Sequence, residues 1–140
     1  MKIVLVIVAI ALVTGVAFFF INAGTATQRI SQQDFQKIMT MEEAPLLLDV
    51  RTAEEFAEGH VPEAMNISYD LLAGRLSELG DDKTQEIVVY CRSGRRAGVA
   101  ETILQNAGFK NLKHLEGDMI GWEKSGLKIE KSPKLALPKS

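Results

Sequence analysis

One stretch constrains the fold of this chain more than any other. Glu86-Ile87-Val88-Val89-Tyr90 is a short, nearly continuous apolar run, which predicts a buried strand. Cys91 ends it, Arg92-Ser93-Gly94-Arg95-Arg96 forms a compact loop, and Ala97 to Leu104 carries a helical pattern. A buried strand running through a tight loop into a helix is half of a βαβ unit. It predicts a parallel sheet covered by helices.

The rest of the chain fits that frame. Ser31-Gln32-Gln33-Asp34 resembles a helix N-cap, and Phe35, Ile38 and Met39 then share one helical face. Leu46 to Val50 after Pro45 predicts a strand buried on both faces. Thr52-Ala53-Glu54-Glu55 opens a short helix with a capping box, and Gly59-His60-Val61-Pro62 ends it. Met65 to Ser68 is a weaker strand. Leu72, Leu76 and Leu79 predict an amphipathic helix over 69–79. After Cys91, Val99, Ala100, Ile103, Leu104 and Ala107 form the buried face of a helix that Gly108 stops. Leu112 to Leu115 is a last strand, and Met119 to Lys124 a short helix with Trp122 as a core aromatic. Strands alternating with helices give an α/β domain over 31–129. Residues 130–140 read as a flexible tail.

The N-terminus is different in kind. Ile3 to Ile21 is 19 residues, apolar except for Thr14 and Gly15, close to the roughly 20 that span a bilayer as a helix. All 18 Asp and Glu, and all but one of the 16 Lys and Arg, follow it, leaving a net charge of −3 on the remainder. Residues 1–27 therefore read as a transmembrane anchor, or alternatively as a signal peptide cleaved near Gly24-Thr25-Ala26, with a polar linker to Ile30. The anchor reading puts the domain on the extracytoplasmic side, and the cleaved form would be periplasmic or secreted. The mildly acidic domain, with its arginines gathered in one loop, excludes a nucleic-acid-binding face.

Cys91 is the only cysteine. A lone cysteine is commonly a small buried hydrophobe, but this one stands at a strand end, before a helix N-terminus and beside three arginines. Such settings lower a thiol pKa from about 8.5 to roughly 3.5–7.5, and point to a nucleophile. Backbone amides at the helix start add positive potential. No Cys/His cluster has metal-ligand spacing, so no metal site is expected. His60, in a Gly-His-Val-Pro turn, is assigned a structural hydrogen bond, and His114, on an alternating strand, a surface position.

Several of these segments together resemble the rhodanese family. Asp49-Val50-Arg51 is similar to its first strand-end signature. Glu55-Phe56 and Gly59-His60-Val61-Pro62-Glu63-Ala64 resemble its Glu-Phe…Gly-His-Ile-Pro-Gly-Ala segment. Tyr90 to Arg96 resembles its active-site loop, and Gly108-Phe109 with Leu115-Glu116-Gly117 through Gly121-Trp122 its closing segment. The chain departs from the pattern at Glu63 and Asp118, where the family often has glycine; Asp tolerates a left-handed backbone.

The resemblance implies a rhodanese-like domain with a central, mainly parallel five-stranded sheet flanked by helices. It implies sulfurtransferase chemistry without a cofactor: Cys91 takes sulfur from thiosulfate or a similar donor as a persulfide and passes it to cyanide or a thiol. Amides of Arg92, Ser93, Gly94, Arg95 and Arg96 would cradle the persulfide, with Arg92 and Arg95 attracting the anionic donor. Arg96 either joins them or fixes the loop through a carboxylate. Asp49 and Arg51 are read as an ion-paired brace beneath the loop. The alternatives are a sulfur-carrying or binding module serving a protein partner, and a phosphatase or arsenate reductase on the same fold. Those last enzymes use Cys-x5-Arg, whereas Arg96 gives Cys-x4-Arg, a loop better sized for one sulfur atom.

Overall fold

The computed structural model describes residues 27–132. The apolar run 3–21, most of the linker and residues 133–140 lie outside them. Among the described residues no helix is long and apolar enough to cross a membrane.

Five strands, β1 (Gln28–Ile30), β2 (Leu46–Asp49), β3 (Met65–Asn66), β4 (Glu86–Tyr90) and β5 (Asn111–Leu115), form one sheet. Their order is β1-β5-β4-β2-β3, and every pairing is parallel. Helices α1 (Gln32–Ile38), α2 (Ala53–Glu58), α3 (Arg95–Asn106) and α4 (Asp118–Lys124) connect or close the strands. The period-2 alternation of β4 explains why the core has two halves. Ile87, Val89 and Cys91 point to one face, with Leu48, Val50, Ala97, Ala100 and Leu104. Val88 and Tyr90 point to the other, with Leu47, Phe35, Met119 and Trp122. A strand buried on both sides must read as an unbroken apolar run, as this one does.

The short helices are held by their caps. The Ser31 side chain accepts from the Asp34 amide. Thr52 and Glu55 form a reciprocal capping box at α2. On the α1–α4 face, Phe35 meets Trp122 edge-on at 6.0 Å, and the Trp122 indole donates to the Lys128 carbonyl.

Five expectations need correction. The end of the presumed linker is β1, which pairs with β5; with three residues and only Ile30 buried, it carries no periodic signal. The helix expected over 69–79 is two 3-10 turns, Leu72–Gly74 and Leu76–Leu79. Arg75, at φ −122°, breaks the helical path between them, although Leu72 and Leu79 are still buried. Val99 is exposed, because α3 buries Ala97, Ala100, Glu101 and Leu104 instead. His114 is not a surface residue but 7% exposed, for a reason that emerges at the active-site loop. Glu130, at the start of the expected tail, exchanges two 2.9 Å backbone hydrogen bonds with His60.

Candidate active site

The chain leaves β2 toward β3 and leaves β4 toward β5, in opposite directions across the sheet. Asp49 and Tyr90 pair at the ends of these two strands. The crevice beyond the carboxyl ends of such diverging strands is where open α/β sheets bind ligands. Cys91 is the next residue after Tyr90.

Cys91 is free and buried. Its Sγ accepts a hydrogen bond from the Gly94 amide at 3.0 Å. Gly94 sits left-handed at φ 103° and ends the loop as the N-cap of α3. A Cβ there would meet Asp118 Oδ2 at 3.3 Å and His114 Cε1 at 3.6 Å, so both φ and packing call for glycine. The first-turn amides of α3 have no carbonyl partner within the helix and add positive potential at this point.

Cys91, Arg92, Ser93, Arg95 and Arg96 line one wall of an open depression of about 510 Å³, and Thr52, Ser68, Tyr69 and Asp70 line the other. The structure thus gathers the loop residues singled out from the sequence, and adds a second wall that it did not signal. Ser68 and Asp70 follow β3 in an ordinary turn, with no motif to mark them. A larger depression of about 610 Å³ elsewhere contains none of the loop residues.

The arginines divide by environment. Arg92 and Arg95 are exposed and carry no ion pair among the described residues. Arg96 is half-buried and donates to both oxygens of Glu55, at 2.6 and 2.9 Å. Hydrogen bonding to Arg96 holds the Glu55 carboxyl down at about 2. Glu55, and to a lesser degree Cys91, raise the Arg96 guanidinium above its usual range. Of the two readings left open for Arg96, the bond to a carboxylate is the one formed, and it ties the loop to the first turn of α2.

Asp49 and Arg51 form a buried ion pair at 2.7 Å, with side chains 0% and 4% exposed. Asp49 also accepts from the Arg51 amide, and Arg51 reaches the Gly59 carbonyl. Asn66 donates to the carbonyls of both residues. Burial first, and then Asp49, push the Tyr90 phenol up; its oxygen accepts from the Val61 amide. The pair braces the ends of β2 and β4, with the Arg51 guanidinium 5.8 Å from the centre of the Tyr90 ring. His60 stacks on Phe56 at 3.6 Å and donates from Nδ1 to the Phe56 carbonyl, a structural arrangement.

A buried group that the sequence reading missed lies under the loop. His114 Nε2 meets Asp118 Oδ2 at 3.0 Å, and Nδ1 meets Glu101 Oε1 at 2.6 Å. Asp118 Oδ1 accepts the Cys91 amide at 2.8 Å. Asp118, then Glu101, raise the His114 imidazole to about 9. The signal available was the spacing of His114 and Asp118 with Glu101 one α-helix earlier, but only the fold brings α3 over β5.

Residues 31–125 match the family described as Rhodanese-like domain. The chain is 34% identical over 100 residues to a sulfurtransferase of Allochromatium vinosum, covering 71% of this chain and 92% of that protein. It is 38% identical over 92 residues to a chloroplastic thiosulfate sulfurtransferase of Arabidopsis thaliana, covering 57% and 75%. A rhodanese-related protein from Thermoplasma volcanium superimposes with a TM-score of 0.64 at 25% identity, covering 74% of this chain and 97% of that one.

Proposed function

This chain belongs to the rhodanese-like family, and we propose that it transfers sulfane sulfur from thiosulfate or a similar anionic donor to a thiophilic acceptor through a persulfide on Cys91. Its relatives named as sulfurtransferases support the reaction class. The observation that carries the reading is the seat of Cys91: Sγ is 3.0 Å from the Gly94 amide, at a helix N-terminus, in a depression walled by Arg92 and Arg95.

In the first half-reaction Cys91 attacks, as thiolate, the outer sulfur of thiosulfate. The new S–S bond forms as the bond to the sulfonate sulfur breaks, and sulfite leaves with the electron pair. Arg92 and Arg95 attract and orient the dianion. Amides from Arg92 to Arg96 surround the terminal sulfur and its charge. In the second half-reaction cyanide or a thiolate attacks that sulfur, and Cys91 leaves as thiolate. Electrons balance in each step, and no redox partner is required. Asp49, Arg51 and the Glu55–Arg96 pair hold the two walls.

Treatment with thiosulfate followed by intact mass spectrometry tests this. A gain of one sulfur on wild type and none on Cys91→Ser supports the reading; an unmodified wild type overturns it. Turnover with thiosulfate and cyanide separates an enzyme from a module that hands sulfur only to one protein partner.

We further propose that residues 3–21 anchor the domain to a membrane, facing the extracytoplasmic side. The length and uncharged character of that run support it. Retention in the membrane fraction after alkaline extraction, with the domain open to external protease, is the expected result. A soluble species beginning near Thr27 would instead mark a cleaved signal.

A further inference from the structure

We propose that Asp118 is a positioning residue for Cys91, and that His114, clamped between Asp118 and Glu101, determines whether Asp118 holds the amide of the nucleophile. The proposal rests on the sulfur-transfer reading for its kinetic consequence, but not for its structural one.

Three observations carry it. Asp118 divides its carboxylate between two tasks: Oδ1 takes the Cys91 N–H at 2.8 Å, and Oδ2 takes the His114 Nε2–H at 3.0 Å. The same Oδ2 faces the Gly94 backbone, whose amide is the one that reaches Sγ. One end of the Cys91–Gly94 loop is therefore hydrogen-bonded to this carboxylate, and the other packs beside it. Asp118 also stands in a left-handed conformation, φ 51°, a region that glycine, Asn and Asp enter more readily than other residues. Its carboxylate is hydrogen-bonded through both oxygens and the residue is 4% exposed, so it is fixed in place beneath the loop. Finally, α4 is itself pinned to the loop, since the Met119 and Ile120 amides donate to the Cys91 and Arg92 carbonyls.

The imidazole decides the geometry because of its proton count. As imidazolium it donates from both nitrogens and satisfies Glu101 and Asp118 together. As neutral imidazole it has one N–H, so one carboxylate faces a nitrogen lone pair at hydrogen-bond distance, in a buried site. The net charge beneath the loop then becomes more negative by one, against the anion that Arg92 and Arg95 attract. The groups around His114 are few. Glu101 comes from α3 and Asp118 from the start of α4. Arg29, its register partner on β1, is exposed, and Val89, its partner on β4, is apolar. The bridged imidazole holds its proton up to about pH 9.

Two readouts test the proposal on the full chain. The first is the single-turnover rate of sulfite release from thiosulfate between pH 6 and 10.5, which avoids the titration of cyanide. Wild type should lose rate through a limb near pH 9. His114→Gln, which has no proton to lose, should lack that limb. Asp118→Gly, which relieves the left-handed strain while removing the carboxylate, should slow loading about tenfold without a matching loss of thiosulfate affinity. Asp118→Asn, which keeps an acceptor for the Cys91 amide, should recover the rate to within about threefold, with the limb moved to lower pH. A wild-type profile flat to pH 10.5, or an Asp118→Gly rate equal to wild type, overturns the proposal.

The second readout is independent of sulfur chemistry. In NMR titrations the His114 Cε1–H and Cys91 amide resonances should move together with a midpoint near 9, and the Cys91 response should vanish in Asp118→Gly. A Cys91 amide that ignores His114 overturns the coupling, whatever the activity. A wild type that releases no sulfite at any pH, yet shows the joint titration, overturns the sulfur-transfer reading and leaves the positioning role standing.

Discussion

Arg96 and Glu55 are 41 residues apart in sequence and joined by two hydrogen bonds, of 2.6 and 2.9 Å. The planar guanidinium and the carboxylate meet as a fork, a geometry lysine cannot reproduce. Glu55 is already fixed by the capping box of α2, so the pair transmits the position of a helix N-terminus to the loop that bears Cys91.

Glu55→Gln should therefore damage the site without removing any group that touches substrate. One fork bond and the charge are lost, on a partly buried pair, and stability should fall by about 1–2 kcal/mol. Sulfur loading should slow as Arg96 loosens. Urea melts and single-turnover loading check both. Unchanged loading in a folded variant would show that Arg96 keeps its place unaided.

Arg92→Ala and Arg95→Ala should behave in the opposite way. Both side chains are exposed and unpaired among the described residues, so stability should stay within about 0.5 kcal/mol of wild type. Each variant loses a charge-assisted contact to the anionic donor, and KM for thiosulfate should rise roughly tenfold. Steady-state kinetics decides. An unchanged KM in both would place the donor elsewhere in the depression.

Glu63 offers a stability test away from the chemistry. It stands at φ 66° in the turn after Pro62, where a Cβ is costly. Glu63→Gly should raise stability by about 1 kcal/mol, the relief of left-handed strain less the backbone entropy of glycine. A lower urea midpoint would mean that the Glu63 side chain contributes more than its strain costs.

These residues show where the sequence was informative. Buried parallel strands read as apolar runs, and capped helices announce themselves by side chains three positions apart. Thus β2, β4, α1, α2 and the Cys91 loop were all legible, and the Asp49–Arg51 pair was expected from the family resemblance of Asp49-Val50-Arg51. What escaped notice depends on contacts distant in sequence. The edge strand β1 exists because β5 offers it a partner. His114 alternates on β5 like a solvent-facing residue, and only α3 and the start of α4 convert its position into a buried, charged one. The leucine spacing at 72, 76 and 79 correctly marked burial but not helix type. Two 3-10 turns carry the outer leucines inward as well as an α-helix would.

The His114 cluster also predicts how stability should depend on pH. Its imidazole is raised from the ordinary 6.5 to about 9, by Asp118 first and Glu101 second. A folded-state value above the unfolded one means that the proton is held more tightly in the folded protein. The resulting stabilisation is fully present below about 6.5 and is lost as pH rises through about 9. At about 1.36 kcal/mol per unit, the loss is roughly 3 kcal/mol. Glu55 acts at the other end, because its folded value of about 2 lies below the ordinary 4.5. Its contribution is present above about 4.5 and is lost as pH falls toward 2. Urea midpoints should therefore be highest between about pH 4.5 and 6.5 and should decline toward pH 9. His114→Gln should lower the plateau and flatten the alkaline decline. A decline of the same size in that variant would assign it to other groups.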